Sequence, residues 1–229
     1  MKTVIINGIS HKGTTYHIGQ SLAQELGGEV ITFDLPQDFG FFCTGCGNCI
    51  IRSETLCPHH QALLPLLKAM DEPDVLIFTT PTYVMHATGS MKAFLDHFGM
   101  RYMVHRPNPL YFKKQAVVIS TAAGAGMKSA CQDILDSLFY WGVPQRYRLS
   151  YAVFALNWDH VSSKKREAIQ KDVQKTARLI RKRQGHLHIP LKTKGLFYFM
   201  RMIQKKGTMP IDHDYWKEHG WLDHERPWH

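Results

Sequence analysis

The sequence predicts an α/β protein built on a doubly wound parallel sheet covered by helices on both faces. Three observations carry this. The chain opens with a strand-loop-helix unit, strand-like and helix-like periodicities then alternate five times along the chain, and residues 74–79 are apolar almost throughout, as a strand buried on both faces must be. With 229 residues, 44% hydrophobic and 21% charged, the chain can bury a substantial core, and one domain with an appendage is expected.

The elements follow in order. Residues 3–7 form a short β-branched run that ends at Gly8. From 16 to 26 the apolar positions Ile18, Leu22, Ala23 and Leu26 return at a period near 3.6, and Gly27-Gly28 ends the helix. Residues 29–35 read as a second strand, 61–70 as a helix and 74–79 as the third strand. A helix over 89–98 places Met91, Phe94, Leu95 and Phe98 on one side. A fourth strand over 115–120, a helix over 128–141, a fifth strand over 147–155 and a helix over 162–183 complete the alternation, with Ser162 or Ser163 as N-cap. Right-handed crossovers are expected to link the strands.

The formal charge of +9 permits an acidic partner without naming one. Much of it sits in the last helix, where Ile169, Val173, Ala177 and Ile180 share one side and Lys171, Lys175, Arg178 and Lys182 lie elsewhere. Its basic side reads as a solvated face, with phosphate, acidic protein or an anionic cofactor as the alternative. After Gly185 the composition turns to His, Lys, Pro and aromatics. The division expected is a body over 1–185 with a cysteine-rich insertion at 39–58, and an extension over 186–229 that packs on the body or a dimer partner, with a membrane-surface role as the weaker reading. Met1-Lys2 runs directly into an apolar run, no apolar stretch is long enough to span a bilayer, and a cytoplasmic protein is expected.

Four of the five cysteines lie within fifteen residues, Cys43, Cys46, Cys49 and Cys57. Three recur at every third position with glycines between, which suits a loop that turns tightly to converge thiolates on one centre. A [4Fe–4S] centre, a structural zinc and metal-free thiols all remain open on spacing alone. Cys131 reads as a small buried apolar residue.

In an open parallel sheet ligands bind at the carboxyl ends of the strands where the order reverses. The loop after the first strand offers Ser10, His11, Lys12, Thr14, Thr15 and Tyr16 just before a helix, where free amides and the helix dipole favour a phosphate. It is neither a Walker loop nor a dinucleotide Gly-x-Gly-x-x-Gly. After the third strand, Pro81, Thr82, Tyr83 and Val84 combine a rigid turn with a flat ring. After the fourth, Thr121, Ala122, Ala123 and Gly124 are small enough for close backbone approach. Of the 14 histidines, His59, His60 and His86 are expected near the site; His86 is a candidate donor to a ligand there, with a packed or surface histidine as the alternative. No Gly-x-Ser-x-Gly, His-Glu-x-x-His or paired acids point to hydrolysis.

These loops, together with Gly89-Ser90-Met91-Lys92-Ala93-Phe94-Leu95-Asp96, resemble the NAD(P)H-dependent FMN reductases of the flavodoxin-like fold, over roughly residues 1–180. The cysteine spacing is similar to the iron-sulfur flavoprotein branch, and the stretch from Pro210 through Trp221 resembles that family's C-terminal extensions. The resemblance implies FMN, its phosphate surrounded by the residues of the first loop, its ring flanked by Pro81, Thr82, Tyr83 and Val84 and closed by Thr121, Ala122, Ala123 and Gly124. It implies Cys43, Cys46, Cys49 and Cys57 as ligands of a [4Fe–4S] cluster beside the flavin. Family phosphate loops carry Arg near His11 and Asn near Thr15; here Lys12 is the expected charge donor.

The function expected is therefore FMN-dependent electron transfer with NAD(P)H or a ferredoxin-like donor, and no side chain acting as acid or base. The alternative is an NAD(P)H-dependent FMN or quinone reductase without a cluster. A third reading, of another class, is a zinc-containing regulatory or nucleic-acid-binding protein. The leading reading implies a redox partner or small-molecule acceptor and a homo-oligomer, with no nucleic acid and no membrane span.

Overall fold

The computed structural model describes residues 1–155 and 157–228. Five parallel strands, β1 (Lys2–Asn7), β2 (Glu29–Asp34), β3 (Val75–Pro81), β4 (Gln115–Ala122) and β5 (Gln145–Ala152), lie in the order β2-β1-β3-β4-β5. This is the flavodoxin-like arrangement, whose strand order reverses between β1 and β3. Helices α1 (Thr14–Leu26), α3 (His60–Asp71), α4 (Gly89–Asp96), α5 (Met127–Tyr140) and α6 (Ser163–Arg183) follow the strands, and a single turn α2 (Asn48–Ile51) lies within the cysteine loop.

Alternation along the strands divides the core. Val4, Ile6, Leu76, Phe78, Ala116 and Val118 face α3, α4 and α5, where Leu63, Leu67, Phe94, Phe98 and Leu138 cover them. Ile5, Val75, Ile77, Val117 and Ile119 face α1 and α6, against Ile18, Leu22, Ile169, Val173, Ala177 and Ile180. Each such Val, Leu, Ile or Phe side chain contributes about 1.5–3 kcal/mol of burial. Cys131 lies in the first of these clusters, and burial pushes its thiol up to about 12. Ser162 is the N-cap of α6, its hydroxyl accepting from the Lys165 amide.

The extension folds as two helices, α7 (Leu191–Gln204) and α8 (Pro210–Glu218). Phe197, Trp216, Trp221 and Leu222 enclose Met103 and Phe112 of the body in a separate small core. Trp216 Nε1 donates to the His105 carbonyl at 2.7 Å and Tyr215 Oη to that of Pro107 at 2.9 Å.

Lys114, buried just before β4, donates to the carbonyls of Asp71 (2.8 Å) and Pro73 (2.7 Å). Burial pulls its ammonium from 10.5 down to about 8, against the opposing pull of the Asp71, Asp74 and Glu72 carboxylates. Between those two values the unfolded chain keeps a proton that the folded protein has released. Folding stability from this residue therefore rises as pH climbs through the window. Thermal melts of the wild type and Lys114→Met across pH 7 to 10 should show the wild type gaining on the variant above about pH 8; a constant difference would contradict it.

Candidate active site

The carboxyl edge of β1, β3, β4 and β5 opens into a cavity of about 650 Å³. Its floor is the start of α1. The first intrahelical bond there runs from the His17 amide to the Gly13 carbonyl, so the Thr14, Thr15 and Tyr16 amides have no intrahelical acceptor. Gly13 at the N-cap brings no side chain to replace one. Thr14 is only 3% exposed, and its hydroxyl has no hydrogen-bond partner among the described residues. A buried donor left this way costs about 1–3 kcal/mol unless a ligand accepts from it. Thr15, by contrast, shares a 2.5 Å hydrogen bond with Thr121 Oγ1, which ties the helix to the end of β4.

The wall after β3 is a tight hairpin. Tyr83 and His86 exchange both backbone hydrogen bonds, and the two residues between them, Val84 and Met85, have φ of 47° and 69°. That geometry ordinarily takes Asn-Gly; a β-branched residue there is strained, and such strain clusters at ligand sites. The hairpin is held from outside by Gly126, φ 91°, where a Cβ would come within 2.6 Å of Thr82 Cγ2 and 3.1 Å of Met85 Cα. The opposite wall joins two loops. The Val153 and Phe154 amides donate to the Ala122 and Ala123 carbonyls, and Phe154, φ 49° and largely exposed, stands at the mouth.

Of the residues expected at this site, His11, Thr14, Thr15, Tyr16, Pro81, Thr82, Tyr83, Thr121, Ala122 and Ala123 line one cavity. Four do not. Ser10 Oγ turns away to donate to the Leu35 carbonyl at 3.2 Å, and Lys12 extends over the Tyr16 ring, 5.6 Å from its centroid. Val84, 95% exposed at the hairpin tip, points to solvent, and Gly124 is not among the lining residues, although a Cβ there would lie 3.9 Å from the Phe154 ring. The loop after β5 supplies lining residues that the sequence did not mark, chiefly Phe154 and Asn157.

None of the four clustered cysteines lines the cavity. Cys43 and Cys46 are exposed, Cys49 and Cys57 half-buried, and all are free. Burial raises the Cys49 thiol, and the charges of Cys57, Cys43 and Cys46 raise it further. Cys57 also neighbours His59 and His97, with ligand atoms of the three within 4.8 Å of one another. His97 Nδ1 donates to the Ala93 carbonyl at 2.8 Å, leaving Nε2 facing His59 Nδ1 at 2.9 Å. His86 stands away from both places, on the surface beside Asp133 at 3.2 Å.

The profile of the NADPH-dependent FMN reductases matches residues 1–154, about two thirds of the chain. The chain belongs to that family. It is accordingly a flavin oxidoreductase. Among curated proteins it is similar to an iron-sulfur flavoprotein of Archaeoglobus fulgidus, 24% identical over 185 residues that cover 79% of this chain and 80% of the relative. Among solved structures it shares the fold of an NAD(P)H:quinone oxidoreductase from Methanothermobacter marburgensis, with TM-score 0.61, 15% identity, and 82% and 98% of the two chains covered. It shares the fold equally of an FMN-dependent NADH-azoreductase from Bacillus anthracis solved in complex with FMN, with TM-score 0.56, 13% identity, and 79% and 100% covered. Among the described residues, no helix is long and apolar enough to cross a membrane.

Proposed function

We propose that the protein is an FMN-dependent electron-transfer oxidoreductase that draws on NAD(P)H or a ferredoxin-like donor and carries a [4Fe–4S] cluster on Cys43, Cys46, Cys49 and Cys57. The observation that carries the flavin half is the uncapped start of α1 at the cavity floor, where Thr14 is a lining residue whose buried hydroxyl has no partner among the described residues. A phosphate there meets three free amides, a hydroxyl and the positive end of a helix dipole. Lys12 needs only to swing off the Tyr16 ring to add its charge. Pro81, Thr82 and Tyr83 form one side of a slot for a flat ring, Thr121 to Ala123 the other, and Phe154 shields the mouth from water. When bound, FMN supplies the hydride and single-electron chemistry that these side chains lack. The Thr15–Thr121 hydrogen bond fixes the distance between the phosphate end and the ring end.

The donor set of the second half is four thiols on one loop, soft ligands that suit iron, and the homologue's name supports it. A second reading, a flavin-dependent NAD(P)H or quinone reductase without a cluster, is favoured by the position of the cysteines outside the cavity. Cys57, His59 and His97 would then offer zinc a mixed sulfur and nitrogen site. Anaerobic purification followed by flavin, iron, sulfide and zinc analysis decides between them. One flavin with about four irons and four sulfides per chain is the expected result. Flavin with zinc, or with no metal, selects the second reading, and protein that takes up no flavin removes both.

A further inference from the structure

Residues 181–206 carry eight Lys and Arg, namely Arg181, Lys182, Arg183, Lys192, Lys194, Arg201, Lys205 and Lys206, and no Asp or Glu. The whole chain has a net charge of +9, so this one segment holds an excess nearly equal to the total. Among the described residues none of the eight forms an ion pair with a carboxylate.

Within this segment α7 is sharply two-sided. Thr193, Phe197 and Gln204 are buried on the inner side, where Phe197 stacks on Trp216 and Gln204 Nε2 donates to the Val104 carbonyl. At about 100° per residue, Leu191, Gly195, Tyr198, Phe199 and Met202 fall on the opposite side. The four large apolar residues among them are between 42% and 82% exposed, Leu191 the most. Lys194 and Lys205 flank this stripe on one side; Lys192, on the other, turns its ammonium over the Phe139 ring, 4.9 Å from the centroid. At the rim Arg226 lies over the Tyr198 ring, 5.2 Å from its centroid, and the Trp228 ring packs at 6.4 Å from it.

We infer that the outer face of α7 is a docking surface for an anionic phospholipid bilayer, on which the protein lies without crossing it. The stripe of Leu, Phe and Met enters the boundary between headgroups and acyl chains, and Lys194 and Lys205 beside it reach lipid phosphates. Tyr198 occupies the level where such rings collect in membrane proteins, backed by Trp228, which packs inward on Phe197 at 4.9 Å. The charge decides among occupants. A second copy of the chain would bring the same uncompensated cations face to face, whereas an anionic lipid surface meets them with opposite charge along its whole extent. The face is separate from the flavin cavity, since α7 rests on Met103 and Phe112, neither of which lines that cavity. Docking therefore leaves the cavity residues untouched.

The test is co-sedimentation of the full chain with vesicles of phosphatidylcholine alone and of phosphatidylcholine mixed with phosphatidylglycerol. Binding is expected to the mixed vesicles and not to the neutral ones, and to fall as salt is added. Phe199→Glu and Leu191→Glu, both at exposed positions, should each weaken it at least tenfold. Lys205→Gln should weaken it about fivefold, one surface cation's share. Circular dichroism and flavin content of each variant should match the wild type. Absence of binding to the mixed vesicles overturns the inference. Binding that the lysine change reduces but neither glutamate change does is general charge attraction, and also overturns it. Self-association in sedimentation velocity that Phe199→Glu abolishes would assign the face to a second copy instead.

Discussion

A Thr14→Val variant is expected to bind FMN at least tenfold more weakly than the wild type, while its apoprotein melts no lower. The two halves of this result have one cause. In the free protein the Thr14 hydroxyl is buried without a partner, so it costs desolvation and returns nothing; a methyl of nearly the same shape removes that cost. With a phosphate present the same hydroxyl would donate to a charged acceptor, a bond worth about 1.5–3 kcal/mol, or about ten- to a hundredfold in affinity. Thr15→Val is the control. Its hydroxyl already has a partner in Thr121, so that change should lower the melting temperature by leaving Thr121 unpaired. Fluorescence titration of apoprotein with FMN and thermal melts of both variants give the readings. Unchanged FMN affinity in Thr14→Val would remove the phosphate from the start of α1, and a lowered melting temperature would make Thr14 a structural residue.

The sheet was legible because burial on two faces leaves a continuous apolar run, as at Val75 to Phe78, and that run is read without knowing any neighbour. Strand ends were less so. The sequence placed Pro81 and Thr121 in loops, yet they pair with each other across the ladder, and Ala122 pairs with Ala152; the hydrogen bonding outlasts the apolar pattern. At β5 the error has the opposite sign. Residues 153–155 look strand-like, but the backbone leaves the sheet after Ala152 and turns at Phe154 through positive φ, which no periodicity reveals. That one misread end hid Phe154 from the cavity. The hairpin at Val84 was hidden for a related reason, since its turn geometry lacks the Asn-Gly that announces it. The phosphate loop was legible because its signal is local, hydroxyls and glycine before a helix. The placing of the cysteines outside the cavity was not, because it depends on contacts between residues far apart in the chain.

The strongest of those distant contacts yields the largest stability effect expected here. Asp212→Ala should destabilise the fold by about 3–5 kcal/mol, the usual result of removing one partner from a buried ion pair. Asp212 is fully buried; it accepts from His105 Nδ1 at 2.7 Å and from Arg106 Nη1. The Arg106 guanidinium donates in addition to the Ile50 carbonyl at 3.2 Å and to the Cys49 carbonyl. One guanidinium thus fastens α8 of the extension to the backbone of the cysteine loop. With Asp212 gone, Arg106 is a half-buried cation with carbonyl partners alone, and the loop loses the anchor that orients it. Two consequences separate this from a simple loss of packing. Alkylation of Cys49 should accelerate in the variant under conditions where Cys131, in the sheet core, stays protected. The double change Arg106→Met with Asp212→Ala should recover part of the lost stability, because no uncompensated charge remains, but it should not restore protection of Cys49. Melting temperatures of the two single variants and the double variant close the cycle. Strict additivity, or Cys49 and Cys131 exposed together, would mean that Asp212 holds the extension to the body and has no part in setting the cysteine loop.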